Sequence, residues 1–207
     1  MNREKELRQV RTVCTDFQTR EDGDGGRHLA GYFVVYNSIY EIAPGMTESV
    51  APGAFSRSIT GDIRALTNHD TTLVLGRTKA HTLELRDDAH GLFADILINP
   101  NDQDAMNTWE RVQRGDVDQC SFGFEINSEE TDFREDGSIH WTMTDLTLFE
   151  VSVCTFPAYK ETNVSARSSE RDALAGRRLD AWKAEQRAKL KGVHKDGTES
   201  ASAEKAD

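Results

Sequence analysis

The sequence predicts a mainly β domain with helices, an α+β protein. About seven antiparallel strands are expected, partly or fully closed into a β-barrel and flanked by helices. Three observations lead there. Short stretches of alternating or β-branched apolar residues recur between residues 13 and 155, separated by Gly, Pro, Asn and Asp. Asp136-Gly137 is a strong hairpin signal. Only residues 99–112 change clearly to a helical period. So many short strands leave exposed edges unless the sheet curls toward closure.

In chain order, residues 1–12 are charged and read as a flexible N-terminus, and Val13 to Phe17 as a first strand. Glu21 to Gly26 is a loop of Asp and Gly. Leu29 to Tyr36 is aromatic and β-branched, the composition of a buried strand. Pro44-Gly45 breaks the chain, and Pro52 opens a short helix to about Ile59. Ile63 to His69 reads as a strand, with a turn at Asp70 to Thr72 before a strand from Leu73 to Arg77. Thr82 to Leu85 and Leu92 to Ile98 pair as a hairpin in a meander. A helix follows, capped by Asn101 or Asp102, with Ala105, Trp109 and Val112 on one face and Gly115 ending it. Ser121 to about Ser128 and Ile139 to Thr155 are the last strands, and Pro157 stops the pairing. The domain is therefore placed at 13–164. Residues 165–191 form a charged helical extension with a sparse apolar stripe, and 192–207 a disordered tail.

The 207 residues suit one domain plus a tail. The net charge of -11 disfavours nucleic acid and anionic membrane as partners, because both need a basic surface. Three widely spaced cysteines contain no C-x-x-C pair, which points to free thiols in a reducing compartment. The polar N-terminus lacks a secretory signal and no apolar run spans a bilayer, so a cytoplasm is expected. No motif calls for a metal or cofactor.

The chemistry is placed at Gln119 to Phe124. Alternation puts Phe122, Phe124 and Ile126 on one face and Ser121, Gly123 and Glu125 on the other. Aromatic anchoring holds the Ser121 hydroxyl rigidly, and Gly123 leaves room for a close backbone approach. A serine nucleophile needs a base and a group to orient that base. His28, His81, His90 and His194 fall in loops, turns or the tail. His69, at the end of a strand between Asn68 and Asp70, is the candidate base; the plain alternative is a local hydrogen bond. Glu150 lies in so apolar a strand that it requires a partner, either the imidazole or an arginine such as Arg77 or Arg111. Asp70 and Asp145 are weaker rivals for the third role. Cys120, a rival nucleophile, shares the face of Phe122 and is expected to be buried.

Three blocks resemble the prohead, or capsid maturation, serine proteases of tailed bacteriophages. They are Gly31 to Asn37 with Glu48 to Phe55; Asn68-His69-Asp70 with Leu75 to Thr78; and Arg114 to Phe124 with Leu148 to Val153 and Phe156 to Tyr159. The resemblance runs from about Gly31 to Val164. It implies a β-barrel surrounded by helices, similar to the herpesvirus assembly proteases. It also implies a serine endopeptidase that works inside the assembling prohead in the host cytoplasm. Its substrates would be the scaffold protein or the scaffolding segment of the major capsid protein, and the enzyme itself; homo-oligomers are possible. The family histidine falls on His69 and the serine on Ser121. Herpesvirus enzymes use a second histidine as third member, so His140 stays a rival of Glu150. Arg77 is a candidate positive group near the oxyanion. The competing functional class is a non-catalytic assembly factor with the same fold.

Overall fold

A computed structural model describes residues 9–14, 18–23, 25–156, and 180, 183 and 184. The chain divides into two units, Met1–Lys160 and Glu161–Asp207. In the second, residues 180, 183 and 184 are helical. The rest of the expected helical extension, the tail and residues 1–8 lie outside the described residues.

In the first unit the strands are β1 (Gln9–Cys14), β2 (Gln18–Glu21), β3 (Arg27–Val35), β4 (Tyr40–Ala43), β5 (Met46–Val50), β6 (Arg64–Thr67), β7 (Asp70–Arg77), β8 (Leu83–Asp87) and β9 (Gly91–Ile98). Helix α1 (Gln103–Gln113) follows, then β10 (Gln119–Phe133) and β11 (Ile139–Cys154). β1 begins inside the stretch expected to be flexible. β2, β4 and β5 were not expected. Pro44-Gly45 does not merely break the chain but turns β4 into β5, with Gly45 at φ 74°. The short helix expected after Pro52 is instead a run of turns from residues 52 to 60, such as Ser56 N to Gly53 O and Ile59 N to Phe55 O.

The described strands form two sheets and no closed barrel. One is a four-stranded antiparallel sheet in the order β2-β3-β9-β8. The other has seven strands in the order β1-β10-β11-β5-β4, with β6 beside β11 and β7 beside β6. Pairing is mostly antiparallel, as expected, but this sheet is mixed. The 16-residue β11 pairs in parallel with β5 at Ile139–Met143 and with β6 at Glu150–Val153, while β10 runs antiparallel along its other edge. Period-2 alternation fixes which side chains share a face but carries no information on strand direction.

The two sheets face each other across the core. Leu29, Phe33, Leu92, Ala94 and Ile96 come from the smaller sheet. Phe122, Phe124, Val151 and Val153 come from the larger. Phe122 stacks on Phe124 at 4.7 Å between centroids and takes Phe55 edge-on at 5.9 Å, so the inward face of β10 is clamped by aromatics. Helix α1 matches its expected cap. Asp102 accepts from the amides of Asp104 and Ala105, and Ala105, Trp109 and Val112 are buried as predicted. Among the described residues no helix is long and apolar enough to cross a membrane.

Candidate active site

The outward face of the β10–β11 pair is set by its register. Gln119 pairs with Cys154, Ser121 with Ser152 and Gly123 with Glu150, so these six share one face. Phe122 and Val151 point the other way into the core. Cys120 follows Phe122, fully buried, with Sγ 3.3 Å from the Tyr32 carbonyl. The expectation that it serves packing rather than chemistry agrees with that placement.

Glu150 is almost wholly buried, with its carboxylate lying on Gly123. A Cβ on Gly123 would stand 2.3 Å from Glu150 Oε1 and 3.0 Å from Cδ. The glycine thus admits a carboxylate, not the backbone that the sequence suggested. Oε1 lies 2.7 Å from His69 Nδ1, and Oε2 accepts from Ser152 Oγ at 2.5 Å. A carboxylate so buried requires such partners.

His69 arrives by way of the β6–β7 hairpin. Thr67 pairs with Asp70, leaving Asn68-His69 as a two-residue turn with φ 51° and 61°. Tight hairpins of type I′ need positive φ at both positions and favour Asn-Gly. Here histidine holds the glycine position, at a cost of about 1–2 kcal/mol for an L side chain in that region. Asn68 pins the tip to the end of β11: its N–H donates to Val153 O and its Oδ1 accepts from Thr155 N, both at 2.9 Å. The imidazole is therefore at a turn tip, not a strand end, and the turn expected at Asp70 to Thr72 lies within β7. There Asp70 binds the Thr72 hydroxyl and amide, which hold its carboxyl below the usual range.

The ring bridges Glu150 and Cys154, two residues either side of Ser152. Its Nε2 stands 3.6 Å from Cys154 Sγ. A carboxylate only accepts, so Nδ1 carries a proton, which leaves Nε2 as the nitrogen whose lone pair a base would use. Burial, followed by the Glu150 charge, pushes the Cys154 thiol up to about 12. Ser121 is fully buried one pair along β10 from Gly123 and directly across from Ser152.

Other sequence candidates lie elsewhere. Both ring nitrogens of His140 face hydroxyls of β5, Thr47 at 2.8 Å and Ser49 at 2.9 Å, and burial lowers its pKa. Ten positions along β11 put it on the order of 30 Å from Glu150. Arg77 makes a two-point ion pair with Asp62, at 2.7 and 2.6 Å, so its acidic partner is Asp62 and not Glu150. Asp145 is paired with Arg57 at 2.7 Å. Arg111 lies on the exposed side of α1. Ser152 and Cys154 were missed, although alternation from Glu150 places both on its face. A cleft of about 600 Å³ along β7 and β9 includes Gly76 and Leu97 but neither Ser121 nor Glu150.

The β10–β11 pair thus carries a buried serine on the same face as a carboxylate–imidazole pair, residue types that serine-type hydrolases combine. The chain belongs to the caudovirus prohead serine proteases, whose family model matches residues 15–175. The prohead protease of Enterobacteria phage HK97 is 27% identical over 178 residues, which cover 84% of this chain and 75% of the relative. The bacteriophage T4 capsid assembly protease structure aligns over 70% of this chain and 98% of that one, with 7% identity and a TM-score of 0.39.

Proposed function

We propose that within this capsid maturation protease His69 is the general base, Ser121 the nucleophile and Glu150 the group that orients the ring. Ser121 Oγ attacks a peptide carbonyl carbon as its proton passes to His69 Nε2. The tetrahedral oxyanion collapses, and the leaving amine takes that proton. Water then attacks the acyl ester with the same base, freeing the new carboxyl end and restoring Ser121. Backbone N–H groups are the expected oxyanion donors, and losing one costs on the order of 10²–10³-fold in rate. The observation that carries this reading is the 2.7 Å contact of His69 Nδ1 with Glu150, made above the glycine two residues from Ser121.

The proposed substrates are the scaffold protein, or the scaffolding segment of the major capsid protein, and the protease itself. The proposed setting is the assembling prohead in the host cytoplasm, where confinement also favours homo-oligomers. Family membership and the resemblance of the three sequence blocks support this; the resemblance also implies kinship with the herpesvirus assembly proteases. Co-expression with the capsid and scaffold proteins of the same phage tests it. Shortened products should appear with the unaltered chain and vanish with Ser121→Ala. Co-sedimentation without any cleavage would instead support a non-catalytic assembly factor. Equal C-terminal masses for both forms would exclude self-processing there.

A thiol nucleophile is the second reading, favoured by the 3.6 Å approach of Cys154 Sγ to Nε2. A thiol pushed up to about 12 holds little thiolate near neutral pH, which weighs against it. Cleavage that survives Cys154→Ala and is lost with Ser121→Ala decides for the serine.

A further inference from the structure

We propose that Ser152 is a positioning residue of the peptidase centre: its hydroxyl holds one oxygen of Glu150 so that the other is aimed at His69. The inference rests on the reading of His69, Ser121 and Glu150 given above. The terminal torsion of a glutamate side chain is broad, so one hydrogen bond leaves its carboxylate free to swing. Glu150 has two. Oε2 accepts a hydrogen bond from the Ser152 hydroxyl at 2.5 Å, and Oε1 faces His69 Nδ1 at 2.7 Å. Gly123 supplies the floor beneath the group. Together they fix the plane of the carboxylate and with it the plane of the ring.

Ser152 is fully buried, so its hydroxyl has no role on the surface. Its proton is committed to Glu150, which sets it apart from the nucleophile. It also stands directly across from Ser121 and between the two residues the ring bridges. Among the described residues, the titratable groups facing Glu150 are His69 from the hairpin tip and Cys154 from β11. Arg64, beside Glu150 in register on β6, turns to Asp62 instead, at 3.4 Å. β10 offers Gly123 there.

Donation from Ser152 draws charge from the carboxylate and favours the state with a neutral ring. Without it, proton uptake by the pair becomes easier, and the acid limb of the activity profile moves to higher pH. The test measures the second-order rate at which a fluorophosphonate acylates the full chain, as a function of pH. Ser152→Ala should lower the rate roughly tenfold, the scale of one hydrogen bond to an ionised group. It should also raise the acid limb, and Ser152→Thr should restore much of both. In a Glu150→Gln background Ser152→Ala should cost nothing further.

A Ser152→Ala protein with unchanged rate and profile overturns the proposal, as do losses that multiply independently in the double variant. Ser152→Cys covers the case in which the alanine form melts too low to assay. A thiol donates weakly, so a rate between serine and alanine levels of function is expected, and an unchanged rate again overturns the proposal. Ser121→Ala separates the underlying reading. If it is still acylated, or the unaltered chain is not, the peptidase centre itself is misassigned and the role of Ser152 falls with it.

Discussion

At the scale of single residues, the site depends on an absence. Gly123 has no side chain, and the space is filled by the Glu150 carboxylate, itself held from both oxygens. Gly123→Ala pushes that carboxylate off the imidazole while changing no hydrogen-bonding group. Overpacking of this kind costs about 1–3 kcal/mol of stability. Displacing the orienting group by about 1 Å is expected to cost roughly 10²-fold in kcat/KM. Denaturant midpoints and kcat/KM measured on the same preparation separate the two; wild-type activity in the alanine form would contradict the geometry. His69, Ser121 and Glu150 were legible as candidates because each is out of place for its local pattern: a histidine beside a turn, a hydroxyl amid aromatics, a carboxylate in an apolar strand. Ser152 and Cys154 are small residues that fit a strand without comment. Nothing local marks them until the hairpin tip is seen to lie over them.

At the scale of elements, the β6–β7 hairpin delivers the imidazole. The sequence placed its turn two residues late, because Asn68-His69 lacks the glycine that usually marks a type I′ turn. Histidine stands there against that preference, with φ 61°, and strain of this kind clusters at functional sites. Asn68 tolerates the left-handed backbone and ties the tip to Val153 and Thr155. Asn68→Ala loses the side-chain bond and strains the turn, so a loss of about 1–2 kcal/mol is expected by chemical denaturation. Activity should fall beyond what that loss explains, since the tip aims the ring; an alanine form as active as the parent would show that the tip needs no such tie. Helix α1, by contrast, was legible to within a few residues. Its period, its Asp102 cap and its terminal glycine all act within the helix itself.

At the scale of the molecule, residues 69, 121 and 150 come from a turn and two strands. Local patterning identified the strands around them. It could not reveal that β11 accepts two parallel neighbours in succession, β5 and then β6, because partner choice depends on packing across the whole sheet. That parallel pairing of β6 is what carries the histidine to the carboxylate. The central claim is that these three residues act as one peptidase centre with Ser121 as its nucleophile. It is tested most directly by mapping the site of a fluorophosphonate adduct on the intact chain by tandem mass spectrometry. The adduct should sit on Ser121, forming slowly because the residue is buried, and should disappear with His69→Ala. An adduct on Ser152 or Cys154, or one that forms equally well without His69, would contradict it.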